Sequence, residues 1–268
     1  MKFLAAAVQM LASANKDENL EEAQGNIREA AARGAKVVVI PEVFNWRGDK
    51  EEEKHSAEPI PGPTADSMAH LAQELGIYLL SGSLLEEIPG DDKVYNTSLL
   101  FDPKGNLLAC YRKIHLFDVD IERGVSTLES ETRRPGRDVV VANTEFCPMG
   151  LTVCYDLRFP ELYRGLVDRG AQVIFVPAAF TAVTGEAHWE PLLRARAIEN
   201  QVYMIAPNQV GKHPQSFTTY GNSMIVDPWG RVIARASDCP GIIFGEIDLT
   251  YLAQVRAELP SLSHRRLF

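Results

Sequence analysis

Gly34-Ala35-Lys36-Val37-Val38-Val39-Ile40-Pro41 is answered later in the chain by Gly170-Ala171-Gln172-Val173-Ile174-Phe175-Val176-Pro177. Each follows a helix-like stretch and reads as an uninterrupted apolar run, the pattern of a strand covered on both faces. Working outward, Gly76-Ile77-Tyr78-Leu79-Leu80 is echoed by Gln201-Val202-Tyr203-Met204-Ile205. Ser98-Leu99-Leu100-Phe101-Asp102-Pro103-Lys104-Gly105 is echoed by Ser223-Met224-Ile225-Val226-Asp227-Pro228-Trp229-Gly230. In this last pair an Asp-Pro-x-Gly turn joins two apolar strands, which predicts a hairpin in each copy. The echoes keep the same order, so the chain reads as a degenerate repeat of two halves.

The intervening helices are legible from their caps. Asn15 caps the first, with Glu18 at the capping-box position and Asp17 complementing the dipole. Leu20, Ala23, Ile27, Ala30 and Ala31 form its apolar stripe, and Gly34 ends it. A second helix is predicted from about Thr64 to Leu75 and its counterpart from about Glu186 to Asn200, while Pro160 opens another that ends near Gly170. Each half is then strand-helix-strand-helix followed by a hairpin, with helices on one side of a mostly parallel sheet. Two such sheets must hide their remaining apolar faces. The expected architecture is therefore α/β, a four-layer α-β-β-α sandwich of two repeated halves. No linker rich in Pro, Gly or Ser separates them, so residues 1–268 are expected to form a single domain.

Composition narrows the function classes. At 268 residues, with 46% hydrophobic and 24% charged residues, the chain suits a globular protein with a sizeable core. A net charge of -9 argues against a nucleic-acid partner, which needs a basic face. No run approaches the roughly 18 apolar residues of a membrane helix, so no membrane partner is expected. Met1-Lys2 followed by Phe3-Leu4-Ala5-Ala6-Ala7-Val8, with Ala12-Ser13-Ala14 behind, mimics a short signal peptide. Gln9 interrupts that run, and its length and apolarity favour a buried first strand instead. Cys110, Cys147, Cys154 and Cys239 show no disulfide framework, which fits reduced thiols in a cytoplasmic compartment.

A repeat supplies an internal control, because a residue present in one copy only can serve chemistry instead of architecture. Glu42 follows Pro41, whereas the matching residue after Pro177 is Ala178. A carboxylate at the mouth of an apolar strand is costly to desolvate unless it is used. In open α/β sheets ligands bind at the carboxyl ends of the strands. The alternative is a solvated loop glutamate. Cys154 ends the apolar Leu151-Thr152-Val153 and precedes a bend into the helix near Pro160, close to backbone N–H groups that stabilise an anion. Cys110 is expected to be a small buried hydrophobe, and Cys147 and Cys239, each before a proline, to be loop residues. Lys113 terminates the strand from Leu107 to Arg112, and apolar Ile114, Leu116 and Phe117 would hold its ammonium in a partly dry cleft. There is no HxxxH, HExxH or CxxC, so metal-assisted hydrolysis is disfavoured. Nor is there a GxSxG or GxxxxGK[ST] motif.

With these residues in view, the chain resembles the nitrilase superfamily of carbon–nitrogen hydrolases. The resemblance lies in Val39-Ile40-Pro41-Glu42, Tyr111-Arg112-Lys113-Ile114-His115-Leu116-Phe117 and Val153-Cys154-Tyr155-Asp156-Leu157-Arg158-Phe159-Pro160-Glu161. It implies the α-β-β-α sandwich, no cofactor, and a homodimer or larger assembly. It also implies that Glu42 is general base and acid, Lys113 the oxyanion-stabilising cation and Cys154 the nucleophile. A second glutamate that orients the lysine falls on Glu129. Within the superfamily, His115 to Asp120, Val183 to Glu190 and Asp227 to Gly230 are similar to the branch containing deaminated glutathione amidase and ω-amidase. Leu193 to Glu199 and Tyr220 to Met224 lean toward the former. The branch's Pro-Gly after the segment ending at Ile121 is replaced here by Glu122-Arg123-Gly124.

The resemblance thus implies hydrolysis of a small-molecule carboxylic amide to acid plus ammonia through a cysteine thioester. Lys113 would favour the thiolate and Glu42 accept its proton, while Lys113 and the Tyr155 backbone N–H would stabilise the oxyanion. A substrate carboxylate would need a cationic or donor-rich pocket, for which Tyr155, Thr184 and His188 are candidates. The arginines between Arg123 and Arg137 are weaker ones, and His188 is equally readable as a structural histidine.

Overall fold

A computed structural model of the protein describes residues 1–122, 125–213 and 217–267. The first half contributes β1 (Lys2–Gln9), α1 (Lys16–Ala32), β2 (Val37–Val39), α2 (Glu53–Ser56), α3 (Pro63–Leu75) and β3 (Tyr78–Leu80). It continues with β4 (Leu84–Glu87) and the hairpin β5 (Val94–Phe101) and β6 (Leu107–Arg112). A small ribbon, β7 (Asp118–Ile121) with β8 (Val125–Leu128), and β9 (Val141–Asn143) lead into the second half. There β10 (Pro148–Leu151), α4 (Pro160–Asp168), β11 (Val173–Phe175), α5 (Ala182–Asn200) and β12 (Tyr203–Ala206) follow one another. A second ribbon, β13 (Val210–Lys212) with β14 (Thr218–Tyr220), precedes the hairpin β15 (Met224–Val226) and β16 (Val232–Arg235). The returning β17 (Gly241–Asp248) and α6 (Leu249–Glu258) close the order.

The repeat survives in three dimensions. One sheet runs β17-β1-β2-β3-β5-β4, with β6 also paired to β5, and the other runs β16-β15-β12-β11-β10-β9. In both, three consecutive parallel strands are flanked by antiparallel ones. The two hairpins match in detail. Each has an irregularity in register just before the turn, between Leu100 and Phe101 and between Ile225 and Val226. Asp102 accepts from the N–H of Lys104 and Asn106, as Asp227 does from Trp229 and Arg231. Gly105 and Gly230 take φ of 80° and 83°, the left-handed conformation that such a turn demands.

The layers follow from strand alternation. Ala5, Ala7, Val37, Val39 and Leu80 face the second sheet and share a core with Met149, Leu151, Val173, Phe175 and Ile205. Their neighbours Ala6, Val8, Val38, Ile40 and Leu79 face outward onto Ile27 and Ala30 of α1 and Met68 and Leu71 of α3. Tyr163 and Leu166 of α4 with Trp189 and Leu193 of α5 cover the other outer face, giving the four expected layers. The apolar N-terminal run is β1, a buried strand between β17 and β2. Two local expectations differ. Asn15 caps α1 through the N–H groups of Asp17 and Glu18, but its own N–H donates to Ser13 Oγ rather than to Glu18. Helix α5 starts a turn before Glu186, at Ala182, and the Tyr220 ring closes over it at Gly185, where a Cβ would lie 2.4 Å from Tyr220 Cγ.

Gly82 has φ of 55°, and a Cβ would lie 1.8 Å from the carbonyl oxygen of Pro41, the residue before Glu42. Gly82→Ala is expected to lower the urea-unfolding free energy by about 3 kcal/mol or more. Gly25→Ala, in open space on α1, should raise it by about 0.5–1 kcal/mol.

Candidate active site

Three segments deliver their side chains to one place, at the carboxyl ends of β2, β6 and β10. Glu42, Lys113 and Cys154 line a single cavity of about 360 Å³. All three are withdrawn from water, with exposures of 2%, 2% and 9%. The predicted Glu129 joins them from a short 3-10 turn, Glu129–Glu131, next to β8. A second cleft of about 630 Å³, lined by Tyr95, Cys110, Arg112 and Arg134, holds none of the four.

Charge alternates through the site. Lys113 Nζ donates to Glu42 Oε1 and Glu129 Oε2, both at 2.9 Å. Glu129 also accepts from the Phe117 N–H at 2.7 Å and from Arg133. Arg133 in turn donates to both oxygens of Glu53, at 2.5 and 3.1 Å. Glu42 is held further by Asn96 Nδ2 at 2.8 Å and by the Ala179 N–H at 2.9 Å, the latter reaching across from the second sheet. Gln209 Nε2 fixes the Glu42 carbonyl at 2.7 Å.

Cys154 opens a 3-10 helix, Cys154–Arg158, with φ of 48°, and its N–H donates to Pro177 O at 2.9 Å. Val43, beside Glu42, has φ of 46°. A left-handed conformation at a non-glycine residue, one of them β-branched, costs about 1–3 kcal/mol and clusters at functional sites.

Burial pushes the Cys154 thiol well above its ordinary value and the Glu42 carboxylate adds to this, with Lys113 only partly opposing. The expectation that Lys113 would bias this sulfur toward thiolate is therefore outweighed, and the resting form is the thiol. Burial would raise Glu42 too, but the adjacent Lys113 ammonium prevails and holds the carboxyl below its usual range. Glu129 is also buried, yet Lys113 and Arg133 draw it down to about 2. Lys113 keeps its proton: burial opposes the charge, and Glu129 and Glu42 overcome that, raising it above its ordinary value. The site thus pairs an ionised carboxylate with a neutral thiol and a fixed ammonium.

Other expectations are corrected. The Lys113 ammonium is enclosed by carboxylates, and of Ile114, Leu116 and Phe117 only Phe117 lines the cavity. Tyr155 and Thr184 line it, the latter hydrogen-bonded to Thr181 Oγ1 at 2.9 Å. His188 does not: it is exposed, one helical turn beyond Thr184, with Nδ1 3.2 Å from Arg158 Nη1. Among the arginines weighed between Arg123 and Arg137, Arg133 lines the cavity, Arg134 and Arg137 are exposed, and Arg123 with Gly124 lies outside the described residues. Cys110 is exposed, contrary to the sequence reading, because β6 turns Ala109 and Tyr111 inward and Cys110 outward, while Cys147 lies in the connection before β10 as expected and is buried there.

Sequence reasoning passed over Arg47 and Arg158, which also line the cavity. Arg158 lies over the Phe180 ring at 5.0 Å and Arg47 over Phe217 at 5.2 Å. Neither has a carboxylate partner among the described residues, and Arg47 Nε is buried without a hydrogen bond. The signal for Arg158 was its place four residues after Cys154; nothing marked Arg47. Among the described residues no group of His, Cys, Asp and Glu could hold a metal ion, and no helix is long and apolar enough to cross a membrane.

A two-sheet sandwich with a thiol, a carboxylate and an ammonium in one buried cavity defines a class of hydrolase. Residues 4–257 match the carbon-nitrogen hydrolase family, and the chain belongs to it. It is 45% identical over 266 residues to a deaminated glutathione amidase of Synechocystis sp., covering 98% of each chain. To the omega-amidase NIT2 of Danio rerio it is 42% identical over 265 residues, covering 99% of this chain and 95% of that one. The crystal structure of Saccharomyces cerevisiae Nit3, a nitrilase-superfamily member, superposes with a TM-score of 0.89 at 34% identity, covering 99% and 97%.

Because Glu42, Glu53 and Glu129 all lie below their usual range, they stabilise the fold above about pH 4.3 and lose that effect as pH falls through their folded values. Glu129→Gln, which leaves Lys113 and Arg133 facing each other, should cost about 3–5 kcal/mol at neutral pH. In urea titrations the gap between variant and parent should narrow as pH falls from about 4.3 toward 2.

Proposed function

We propose that this chain hydrolyses the amide bond of a small carboxylic amide through a thioester on Cys154, and that its substrate is deaminated glutathione. The observation that carries the reading is the 2.9 Å contact of Lys113 Nζ with Glu42, made inside the cavity that holds the Cys154 thiol. Glu42 takes the thiol proton as sulfur attacks the amide carbon, which fits a buried pair of carboxylate and thiol at rest. The oxyanion is met by the Lys113 ammonium and the Tyr155 backbone N–H, and each such donor is worth roughly 3–4 kcal/mol of barrier. Glu42 then protonates the departing nitrogen, and ammonia or an amine leaves. Water attacks the thioester with Glu42 again as base, releasing the acid and restoring the thiol. Glu129 orients Lys113.

An acyl chain ending in a carboxylate fits the guanidinium of Arg158, which has no carboxylate partner among the described residues, with Arg47, Tyr155 and Thr184 completing the wall. The similarity to the Synechocystis deaminated glutathione amidase supports the first substrate. The Danio omega-amidase supports a second reading, a 2-oxo acid amide such as 2-oxoglutaramate. One hydrolase domain spans the chain and works as a homodimer or larger homo-oligomer in the cytoplasm, a reading that rests on the family resemblance and the four free cysteines.

The test is product release across a panel of small amides, with deaminated glutathione and 2-oxoglutaramate side by side. Cys154→Ser should abolish turnover with the fold intact, and undiminished release by that variant would remove Cys154 as nucleophile. Arg158→Ala should lower kcat/KM on a carboxylate-bearing amide about 10- to 100-fold, corresponding to one charge-assisted contact, mainly through KM. On an uncharged amide of similar length it should change little.

A further inference from the structure

We infer that Asp156 is the positioning residue that sets how closely the Lys113 ammonium approaches the Cys154 sulfur. The inference rests on the proposed roles of those two groups.

Asp156 lies two residues past Cys154 and is completely buried. Its Oδ2 accepts from the Tyr111 hydroxyl at 2.6 Å and from the Val153 N–H at 2.8 Å. Its Oδ1 lies 2.7 Å from His115 Nδ1 and accepts from the His115 N–H at 3.1 Å. Tyr111 and His115 stand two residues before and two after Lys113, while Val153 immediately precedes Cys154. One carboxylate therefore clamps both flanks of the Lys113 segment and the peptide leading into the sulfur. The bond to Tyr111 also spans the two sheets, from β6 to the turn after β10. Glu42 and Glu129 hold the ammonium itself; Asp156 holds the backbones on which ammonium and sulfur ride.

The donors leave little choice of acceptor. The Tyr111 hydroxyl already accepts from the Ile114 N–H at 3.3 Å, so its hydrogen points to Asp156. Burial and the nearby Asp156 keep that hydroxyl protonated by raising it well above its ordinary value. The His115 ring is stacked on Phe159 at 3.6 Å between centroids, which fixes its plane. Four donors converge on two oxygens. An asparagine presents one oxygen and one NH₂, so it meets one pair of donors and opposes the other. Misplacement of a reacting group by about 1 Å costs on the order of 10²-fold in rate.

Two measurements test this together: kcat and KM on the best amide of the panel, and the pH dependence of Cys154 alkylation by iodoacetamide, read by peptide mass spectrometry. The titratable groups acting on the sulfur are Glu42 and Lys113, with Arg47 and Arg158 on the cavity wall and the buried Tyr163, and all remain in the variants. Asp156→Asn should lower kcat about 10²-fold with KM within about threefold. Its alkylation should slow, with the midpoint moved to higher pH as the ammonium retreats. A merely structural role predicts the opposite, faster alkylation of a loosened site at an unchanged midpoint, and that result would overturn the inference. So would a kcat within about threefold of the parent. Should Asp156→Asn not fold, Tyr111→Phe removes one of the four bonds and should lower kcat about tenfold with the same midpoint shift, and unchanged kcat and midpoint in that variant would overturn it. Alkylation needs no substrate. A protein whose variants shift the midpoint but whose parent cleaves no amide would sink the proposed reaction and leave the Asp156 assignment standing.

Discussion

Lys113 carries a full charge at 2% exposure, and much of the structure around it exists to make that tolerable. An ammonium taken out of water needs compensating partners in good geometry, since its desolvation penalty is several kcal/mol. Here the partners are two carboxylates at 2.9 Å, and each of those is itself compensated, Glu42 by Asn96 and a backbone N–H and Glu129 by Arg133. The row Glu42–Lys113–Glu129–Arg133–Glu53 alternates in sign and is almost wholly buried. Replacing such a row with apolar residues would serve stability as well or better. Its retention inside a cavity that also holds a thiol points to use in chemistry.

The fold supplies the meeting point. Glu42 and Lys113 follow strands of the first sheet and Cys154 a strand of the second, and sheet packing brings their carboxyl ends together. Cross-sheet bonds, Ala179 N–H to Glu42 and Tyr111 to Asp156, then lock the two halves in register at the site. The left-handed backbone at Val43 and Cys154 is the local cost of turning both side chains inward. Packed strands on both sides hold these residues in place, so the strain persists without relaxing.

How much of this was legible depended on whether the determinant was local. Continuous apolar runs and Asp-Pro-x-Gly turns identified the paired sheets and hairpins, and the asymmetry of Glu42 against Ala178 pointed to the site. What escaped was set by distant partners. Glu53 sits in the charged run Lys50 to Lys54, and its partners, Arg133 and the Thr132 hydroxyl, lie far along the chain. Helix α5 begins at Ala182, just after Thr181 bridges to Thr219, a distant pairing that no reading of Val183-Thr184-Gly185 would suggest. His188 has the right helical spacing from Thr184, yet Arg158 occupies the cavity wall below it. Cys110 was within reach of a stricter reading, since strand alternation that buries Tyr111 turns Cys110 outward.

The polar floor of the cavity is spoken for by the ion-pair row, while Arg158 and Arg47 stand on the wall with no carboxylate partner among the described residues. The proposed substrates, amides that bring their own carboxylate, would complete that arrangement. The most direct test of the account is acid-quenched mass spectrometry of the enzyme mixed with excess deaminated glutathione or 2-oxoglutaramate. An acyl adduct is expected on the peptide containing Cys154, present during turnover and gone once substrate is exhausted. Steady turnover with no adduct on any quench time, or with the acyl group on another residue, would contradict it.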